Sequence, residues 1–303
     1  MLSPKITASK LVRLAILVMA ATATVAAQPL FTTFTSFDIP GATSYFVPGI
    51  NDEGIVVGSW FAADGSVVGF IRAPDGHITT PVVDPNDSSG FTDLRAVTDE
   101  GVVAGFYGAN IGNGFLLSEG TFRTVDFPGA DSTALRGVNN RGDVSGTYSV
   151  ADLDADEFGF IIPRRGPAIS FKPPDPTGTG FVVGGINDLR QLVGYYTDAT
   201  STLVGFLRQP SGEFVSVVVP GAVSTQVYGI NDCGIVVGLY GDGSTAHGFY
   251  GRPGNLHSFD VPGAGATFAQ GINNEGRIVG RYAVAGGIVH AFVSGRIPAA
   301  SCL

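Results

Sequence analysis

The hexapeptide Gly49-Ile50-Asn51-Asp52-Glu53-Gly54 returns six times along the chain and decides the fold. The other copies are Ala96-Val97-Thr98-Asp99-Glu100-Gly101, Gly137-Val138-Asn139-Asn140-Arg141-Gly142, Gly185-Ile186-Asn187-Asp188-Leu189-Arg190, Gly229-Ile230-Asn231-Asp232-Cys233-Gly234 and Gly271-Ile272-Asn273-Asn274-Glu275-Gly276. Their starts are 47, 41, 48, 44 and 42 residues apart. A period of this length is typical of four-stranded propeller blades.

Each repeat contains the same series of short strands. The hexapeptide is followed by an apolar strand such as Ile55-Val56-Val57-Gly58, then by a strand that carries Gly-Phe, as at Gly69-Phe70. A last strand ends near Pro-Gly, as in Val125-Asp126-Phe127-Pro128-Gly129. With the strand before the hexapeptide, this makes four strands per repeat, and no helical periodicity interrupts them.

The two ends of the array complement each other. The last repeat stops after Ala291-Phe292-Val293, one strand short, and the missing piece, Phe37-Asp38-Ile39-Pro40-Gly41, precedes the first repeat. Pairing the two closes the ring and leaves only short, protected edges. We therefore predict an all-β, six-bladed β-propeller of four-stranded blades whose last blade is completed by the N-terminal strand.

The composition agrees with this fold. The 303 residues include 44 Gly and 18 Pro, 14% of them are charged and 44% are hydrophobic. Interior Gly disfavours long helices, while the apolar content is too high for a disordered chain.

The N-terminus has the pattern of a secretory signal peptide. Lys5, Lys10 and Arg13 precede an apolar stretch from Leu14, and Val25-Ala26-Ala27 offers a cleavage site before Gln28. We expect residues 1–27 to be removed, leaving a secreted propeller, extracellular or periplasmic, of residues 28–303 with no membrane span. An uncleaved anchor is the alternative, although the apolar run is short for one.

Cleavage removes three positive charges and no negative ones, so the net charge of −9 becomes −12. A nucleic-acid partner needs a basic footprint, and the mature chain has none.

The repeats resemble a known family. The hexapeptide, Val236-Val237-Gly238-Leu239-Tyr240 and His290-Ala291-Phe292 are similar to the HAF repeats of secreted bacterial proteins, and the resemblance covers nearly all of residues 31–298. Thr98 and Arg190 depart from the hexapeptide, and the histidine of the motif occurs only at His247 and His290. The resemblance implies an extracellular, propeller-like repeat protein and no common chemistry.

Two rings of side chains are candidates for binding. The Asn-Asp pairs offer oxygen ligands for cations, but the turn role of Asn, Asp and Gly explains them better. Two residues after the Gly of each second strand stands an aromatic residue, a candidate for stacking on sugars: Trp60, Tyr107, Tyr148, Tyr196, Tyr240 and Tyr282. Packing between blades explains an aromatic residue in every repeat better, because a binding site usually breaks the symmetry of the repeats.

Positions that break the symmetry are stronger candidates for a ligand site. Just before the small residue of each first strand stand Pro48, Arg95, Arg136, Gly184, Tyr228 and Gln270. Two guanidiniums on adjacent blades, with Tyr228 and Gln270 across the ring, suit a carboxylate or sulfate. A salt bridge to a local acid such as Asp93 is the simpler role for an Arg here.

An acidic loop and two cysteines complete the candidates. Asp152, Asp154, Asp156 and Glu157 offer hard oxygen ligands to Ca²⁺ without the EF-hand pattern, and a solvated loop is the alternative. Cys233 and Cys302 are expected on one face, where a disulfide is geometrically allowed. We expect no other cofactor.

The sequence contains no recognisable catalytic set. Our first hypothesis is therefore a non-catalytic binding or interaction module for a glycan, a small acid or a protein. An extracellular carbohydrate-active hydrolase or lyase on the same scaffold is the second hypothesis, because distant carboxylates can converge on a propeller face. A structural component of the envelope or matrix, without a formed pocket, is the third.

Overall fold

The computed structural model describes residues 33–108, 112–150, 158–172, 175, 180–297 and 302. They form 24 strands in six four-stranded antiparallel sheets, and no helix occurs among these residues. The predicted signal peptide, residues 1–27, lies outside them. No described segment is a helix long and apolar enough to cross a bilayer.

The first three blades follow each other along the chain. Blade 1 consists of β2 (Ala42–Ile50), β3 (Val56–Ala62), β4 (Val67–Arg72) and β5 (Ile78–Val82). Blade 2 consists of β6 (Thr92–Val97), β7 (Val103–Tyr107), β8 (Asn113–Ser118) and β9 (Thr121–Thr124). Blade 3 consists of β10 (Ser132–Val138), β11 (Val144–Ser149), β12 (Phe158–Ile162) and β13 (Ile169–Phe171).

The other three blades repeat the order, and the last one closes the ring. Blade 4 consists of β14 (Val182–Ile186), β15 (Leu192–Thr197), β16 (Leu203–Arg208) and β17 (Phe214–Val217). Blade 5 consists of β18 (Ser224–Ile230), β19 (Val236–Gly241), β20 (Ala246–Arg252) and β21 (Asn255–Phe259). Blade 6 consists of β22 (Ala266–Ile272), β23 (Ile278–Ala283), β24 (Val289–Ser294) and the N-terminal β1 (Phe34–Phe37).

The closure of blade 6 confirms the prediction from the two incomplete ends. Strand β1 pairs antiparallel with β24, in a register that sets Phe34 opposite Ser294 and Phe37 opposite Ala291. The fold is therefore a six-bladed β-propeller, as predicted.

The repeated Gly of the second strand and the Gly-Phe of the third strand form one packing unit. Gly58 lies opposite Phe70, whose ring is fully buried. A Cβ atom on Gly58 would lie 2.3 Å from the carbonyl oxygen of Phe46 and 3.0 Å from the Phe70 ring. Only glycine lets the phenyl ring cross the sheet at this point, which explains why the two motifs occur together.

The hydrophobic core lies between neighbouring blades. One cluster, for example, packs Tyr250 and Phe259 of blade 5 against Ile272, Ile278 and Phe292 of blade 6. Near the axis the innermost strands approach so closely that a Cβ atom on Gly229 would lie 3.1 Å from the Cα atom of Gly271. The small residue that opens each hexapeptide is thus required by the contact between adjacent innermost strands.

Candidate functional site

The hexapeptides form the turns between the first and second strands, as expected from their composition. In blade 1, the Asn51 carbonyl accepts from the Gly54 N–H at 3.1 Å, and the Asn51 Oδ1 atom accepts from the Ile55 N–H at 2.8 Å. Gly54 has a φ of +85°, which favours glycine. In blade 4, Arg190 occupies this position with a φ of +60° and pairs with Asp143 of blade 3.

The same turns also form a closed ring of hydrogen bonds, which we call the Asx ring. Its six members donate their backbone N–H groups to the Oδ1 atom of the next member at 2.7–2.9 Å. The order is Asp52, Asp99, Asn140, Asp188, Asp232, Asn274 and back to Asp52. The Asx residues thus join adjacent blades, a role that their turn propensity alone does not predict.

The first Asn of each hexapeptide adds a second link between blades. In five turns its Nδ2 atom donates to a backbone carbonyl of the next blade at 2.9–3.2 Å: Asn51, Asn139, Asn187, Asn231 and Asn273. Blade 2 has Thr98 at this position, and the Thr98 Oγ1 atom accepts from the N–H of Val102 within its own turn.

Two carboxamides divide the four carboxylates of the Asx ring into two adjacent pairs, Asp52 with Asp99 and Asp188 with Asp232. The Asn274 Nδ2 atom donates to Asp52 Oδ2 at 3.0 Å and to Asp232 Oδ2 at 2.9 Å, and the Asn140 Nδ2 atom donates to Asp99 Oδ2 at 2.8 Å. Burial raises the pKa of Asp52 and Asp188, and the neighbouring carboxylates raise the pKa of both further. Within the described residues, no three His, Cys, Asp or Glu side chains are placed to hold a metal ion.

A cavity of about 300 Å³ lies on the propeller axis and is lined by the innermost strands. We call it the axial cavity. The Asx ring lines it together with a ring of apolar side chains: Ile50, Val97, Val138, Ile186, Ile230 and Ile272. This lining combines apolar surface with a few polar groups, as ligand sites in proteins do.

The residues that break the repeat symmetry lie at a β-bulge. Each first strand shifts its register just before its small residue, as between Leu94 and Ala96 in blade 2 and between Leu135 and Gly137 in blade 3. A bulge re-aims the side chain of the extra residue. Arg95, Arg136 and Tyr228 occupy bulges and line the axial cavity, together with Pro48 and Gly184.

Arg95 is held rigidly at the wall of the axial cavity. It pairs with the buried carboxylate of Asp93, and its guanidinium carbon lies 4.2 Å from the centroid of the Phe46 ring and 5.1 Å from that of the Phe106 ring. The ion pair with Asp93 is the simpler role expected from the sequence. Because Asp93 already accepts from the Ser59 hydroxyl at 2.6 Å, the pair is anchored to blade 1 as well.

Arg136 and two tyrosines complete the cationic and aromatic part of the lining. The Arg136 guanidinium carbon lies 5.6 Å from the Phe106 centroid. The Tyr228 ring lies 5.5 Å from that of Tyr195 and 5.8 Å from that of Phe46. Burial raises the pKa of Tyr228, so its hydroxyl stays protonated and donates to Gln226 Oε1 at 2.7 Å.

Contrary to the expectation from the sequence, the side chain of Gln270 does not face a ligand across the ring. Its side chain is buried, and its Oε1 atom accepts from the N–H of Val47 at 2.9 Å. Val47 lies inside the bulge of β2, where the ladder of strand hydrogen bonds is interrupted. Gln270 therefore satisfies a backbone group of the next blade.

The six aromatic residues that recur on the second strands lie away from the axis. Four of its six polar groups bond to Ser or Thr of an outermost strand at 2.8–2.9 Å: Trp60 to Thr80, Tyr148 to Ser170, Tyr240 to Ser258 and Tyr282 to Ser36. Tyr107 and Tyr196 pack against hydrophobic core clusters. In the described chain, the lining of the axial cavity contains none of the six, so these contacts favour the packing interpretation.

The acidic loop and the two cysteines have different outcomes. Asp152, Asp154, Asp156 and Glu157 lie outside the described residues, so the Ca²⁺ hypothesis stays a prediction. Cys233 and Cys302 form a disulfide with a Cα separation of 5.3 Å. The backbone N–H of Cys302 also donates to the carbonyl of Asn274 at 2.7 Å, beside the Asx ring.

Two cavity residues, Phe46 and Tyr195, are absent from the sequence-based candidates. Both line the axial cavity. Strand alternation could have predicted Phe46, because Phe46 stands two residues before Pro48 and residues two apart share one face of a strand. Tyr195 lies on the second strand of blade 4, beside the bulge at Gly184. Glycine has no side chain there, and no pattern in the repeats distinguishes Tyr195 from its neighbour Tyr196, which packs in the core.

Comparison with known proteins identifies the fold alone. No family model matches the chain, and no curated protein matches it. A lectin from Aleuria aurantia, solved with Fucα1-6GlcNAc, matches with a TM-score of 0.51 at 10% identity over 85% of this chain and 97% of its own. A gluconolactonase from Xanthomonas campestris matches with a TM-score of 0.53 at 14% identity, over 84% of this chain and 87% of its own. TolB from Acinetobacter baumannii matches with a TM-score of 0.54 at 13% identity, over 79% of this chain and 63% of its own.

Proposed function

We propose that this chain is a secreted, non-catalytic binding module that holds a small carboxylic acid in its axial cavity. The observation that carries the proposal is the position of Arg95 and Arg136, two bulge residues of adjacent blades that line one cavity. Guanidinium groups suit carboxylates because they offer paired donors in one plane. Secretion follows from the predicted signal peptide.

The aromatic side chains suit the apolar part of a planar acid, and the two guanidiniums favour an acid over a neutral sugar. The centroid of the Tyr228 ring lies 5.5 Å from that of Tyr195 and 5.8 Å from that of Phe46 along the cavity wall. Their faces suit the apolar part of a ligand whose carboxylate meets Arg95 and Arg136. A volume of about 300 Å³ is at the lower end for ligand sites, which favours a small molecule such as an aromatic monocarboxylate.

The distant propellers leave a glycan as the competing ligand, because the Aleuria aurantia lectin was solved with a fucosylated one. Calorimetric titration of the purified protein with benzoate, acetate, sulfate, fucose and N-acetylglucosamine compares the two classes directly. We expect heat of binding with benzoate and none with the neutral sugars. Binding of fucose without binding of any acid would contradict the proposal.

The variant Arg136→Gln tests the residue assignment. Arg136 is preferred to Arg95, whose removal would leave the buried Asp93 carboxylate without its cation and destabilise the fold. We expect at least a tenfold loss of benzoate affinity. Arg277→Gln is the matched control, since Arg277 is exposed and pairs only with Glu275 among the described residues. An equal loss in both variants would point to net charge instead of the cavity.

A carbohydrate-active hydrolase or lyase is the second candidate. It is favoured by the raised pKa of Asp52 and Asp188, because both line the same cavity as the two arginines and a raised pKa suits a general acid. Against it, the Oδ1 atoms of both carboxylates accept hydrogen bonds that join blades. Assays on a panel of polysaccharides decide: activity that Asp188→Asn abolishes would establish the enzyme.

A further inference from the structure

One of the six boundaries between blades lacks the amide link described above. Between blades 2 and 3, Thr98 replaces Asn, and the carbonyl of Asn139 accepts only from the Gly142 N–H of its own turn in the described structure. The equivalent carbonyl of Asn51 accepts both from Gly54 and from the side chain of Asn273. The boundary between blades 2 and 3 therefore keeps the bonds between Asp99 and Asn140 but lacks the second link that the other boundaries have.

A cleft of about 560 Å³ lies at this boundary. We call it the boundary cleft; Thr98, Val102, Leu116 and Arg123 of blade 2 line it opposite Val138, Asn139 and Arg164 of blade 3. Leu116 is half-buried there, as are Ile71 and Val293 at the same position of blades 1 and 6, whereas Ile161, Leu207 and Tyr250 of blades 3, 4 and 5 are at most 4% exposed. The cleft thus presents apolar surface that the boundaries following blades 3, 4 and 5 cover.

Two guanidiniums flank this apolar surface. Arg123 lies directly opposite Leu116 in the pairing of β8 with β9, and Arg164 follows β12 on the other wall. Both side chains are exposed, and within the described part of the chain neither has an ion-pair partner. Glu100 also lines the cleft, so two positive charges face one negative charge on a chain whose net charge is −9.

We propose that the boundary cleft is a second ligand site, separate from the axial cavity, for an amphipathic carboxylate. The carboxylate lies between Arg123 and Arg164, and an aliphatic chain covers Val102 and Leu116. The two guanidiniums supply charge-assisted hydrogen bonds, and covering the half-buried Leu116 removes apolar surface from water. A volume of about 560 Å³ accommodates a chain of medium length.

Titration of the purified protein with octanoate tests the site, and octanamide is the neutral control of the same length. We expect octanoate to bind at least tenfold more tightly than octanamide, because the amide lacks the charge that the guanidiniums require. Equal affinities, or no binding of octanoate, would overturn the proposal.

Variants place the binding in the cleft and separate it from the axial cavity. Arg123→Gln with Arg164→Gln is expected to lower octanoate affinity at least tenfold, and both side chains are exposed, so the fold tolerates the change. Arg136→Gln leaves octanoate affinity within twofold. Thr98→Asn restores the missing amide link and lowers the affinity several-fold. Loss of octanoate binding in Arg136→Gln, with retention in the double variant, would assign the ligand to the axial cavity and refute the boundary cleft.

Discussion

The backbone N–H of Asn274, in the last blade, donates to the Oδ1 atom of Asp52, in the first blade, at 2.7 Å. Residues 222 positions apart are thus joined by the same hydrogen bond that joins every other pair of neighbouring turns. The Asx ring closes on one face of the propeller, and strand β1 closes blade 6 independently.

Exchange of Asn274 for Asp is expected to destabilise the ring in a pH-dependent way. Asn274→Asp replaces a donor to Asp52 and Asp232 by a third carboxylate between them. Loss of two charge-assisted hydrogen bonds and the added repulsion lower the free energy of unfolding at pH 7 by about 2–4 kcal/mol. Urea unfolding at pH 7 and pH 4 measures the effect.

The sign of the pH dependence follows from the neighbours of the new carboxyl. Two adjacent carboxylates raise its pKa in the folded state, so the penalty is small below the unfolded pKa and grows as the pH rises through the folded pKa. Glu275→Gln, in the same turn but outside the ring, serves as control. A penalty that is the same at both pH values would contradict the electrostatic account.

The closing strand depends on Phe37. Its side chain is 9% exposed and packs edge-on against Phe70 with centroids 5.8 Å apart. Phe37→Ala is expected to lower the free energy of unfolding by about 3 kcal/mol. Ser36→Ala, on the exposed side of the same strand, costs at most about 1 kcal/mol because only its bond to the Tyr282 hydroxyl is lost. Equal effects in denaturant unfolding would mean that β1 is not part of the cooperative fold.

His247 is expected to titrate above the usual range of histidine. Its Nδ1 atom lies 2.8 Å from Asp260 Oδ2, and this hydrogen bond is the main cause of its raised pKa, with a smaller contribution from Asp242. The pair therefore stabilises the fold below the unfolded pKa of about 6.5, and this contribution is lost as the pH rises through the folded pKa. Titration followed by NMR should show a lower pKa in Asp260→Asn.

Asp198→Asn is the matched control for His247, because it removes a carboxylate of blade 4 that bonds only to its own turn among the described residues. The pKa of His247 should stay unchanged in this variant. A fall as large as that in Asp260→Asn would assign the shift to the overall charge of the protein.

The disulfide is expected to stabilise the C-terminal end of the ring. Cys233 and Cys302 are 69 residues apart, and closing a loop of that length contributes up to about 4 kcal/mol by restricting the unfolded chain. Cys302→Ser should lower the free energy of unfolding toward that amount, and reduction of the wild-type protein should reproduce the loss. Unfolding curves that coincide with and without reductant would show that the bond adds nothing.

The repeats predicted more of the fold than of the site. The pairing of Phe37 with Ala291 and the packing of Phe70 over Gly58 follow from motifs that recur in every blade. Arg95, Arg136 and Tyr228 line one cavity, because equivalent positions of a ring face one axis, and their role in holding a ligand stays a prediction.

What the sequence did not predict depends on contacts between blades. Gln270 has the same position as Arg95, yet it bonds to Val47 because the bulge of β2 leaves that N–H without a strand partner. The boundary cleft depends on Thr98 lacking an amide, which matters only once the neighbouring Asn139 carbonyl is located. The repeat pattern of a single sequence does not predict which side chain bonds to which backbone group of the neighbouring blade.

Crystals of the protein soaked with 4-bromobenzoate test the proposed function most directly, since the anomalous signal of bromine locates the ligand without prior assumptions. We predict a peak in the axial cavity among Phe46, Tyr195 and Tyr228, with the carboxylate toward Arg95 and Arg136, and no such peak in Arg136→Gln crystals. An empty axial cavity in the wild-type crystals, or a peak that persists undiminished in the variant, would contradict the proposal.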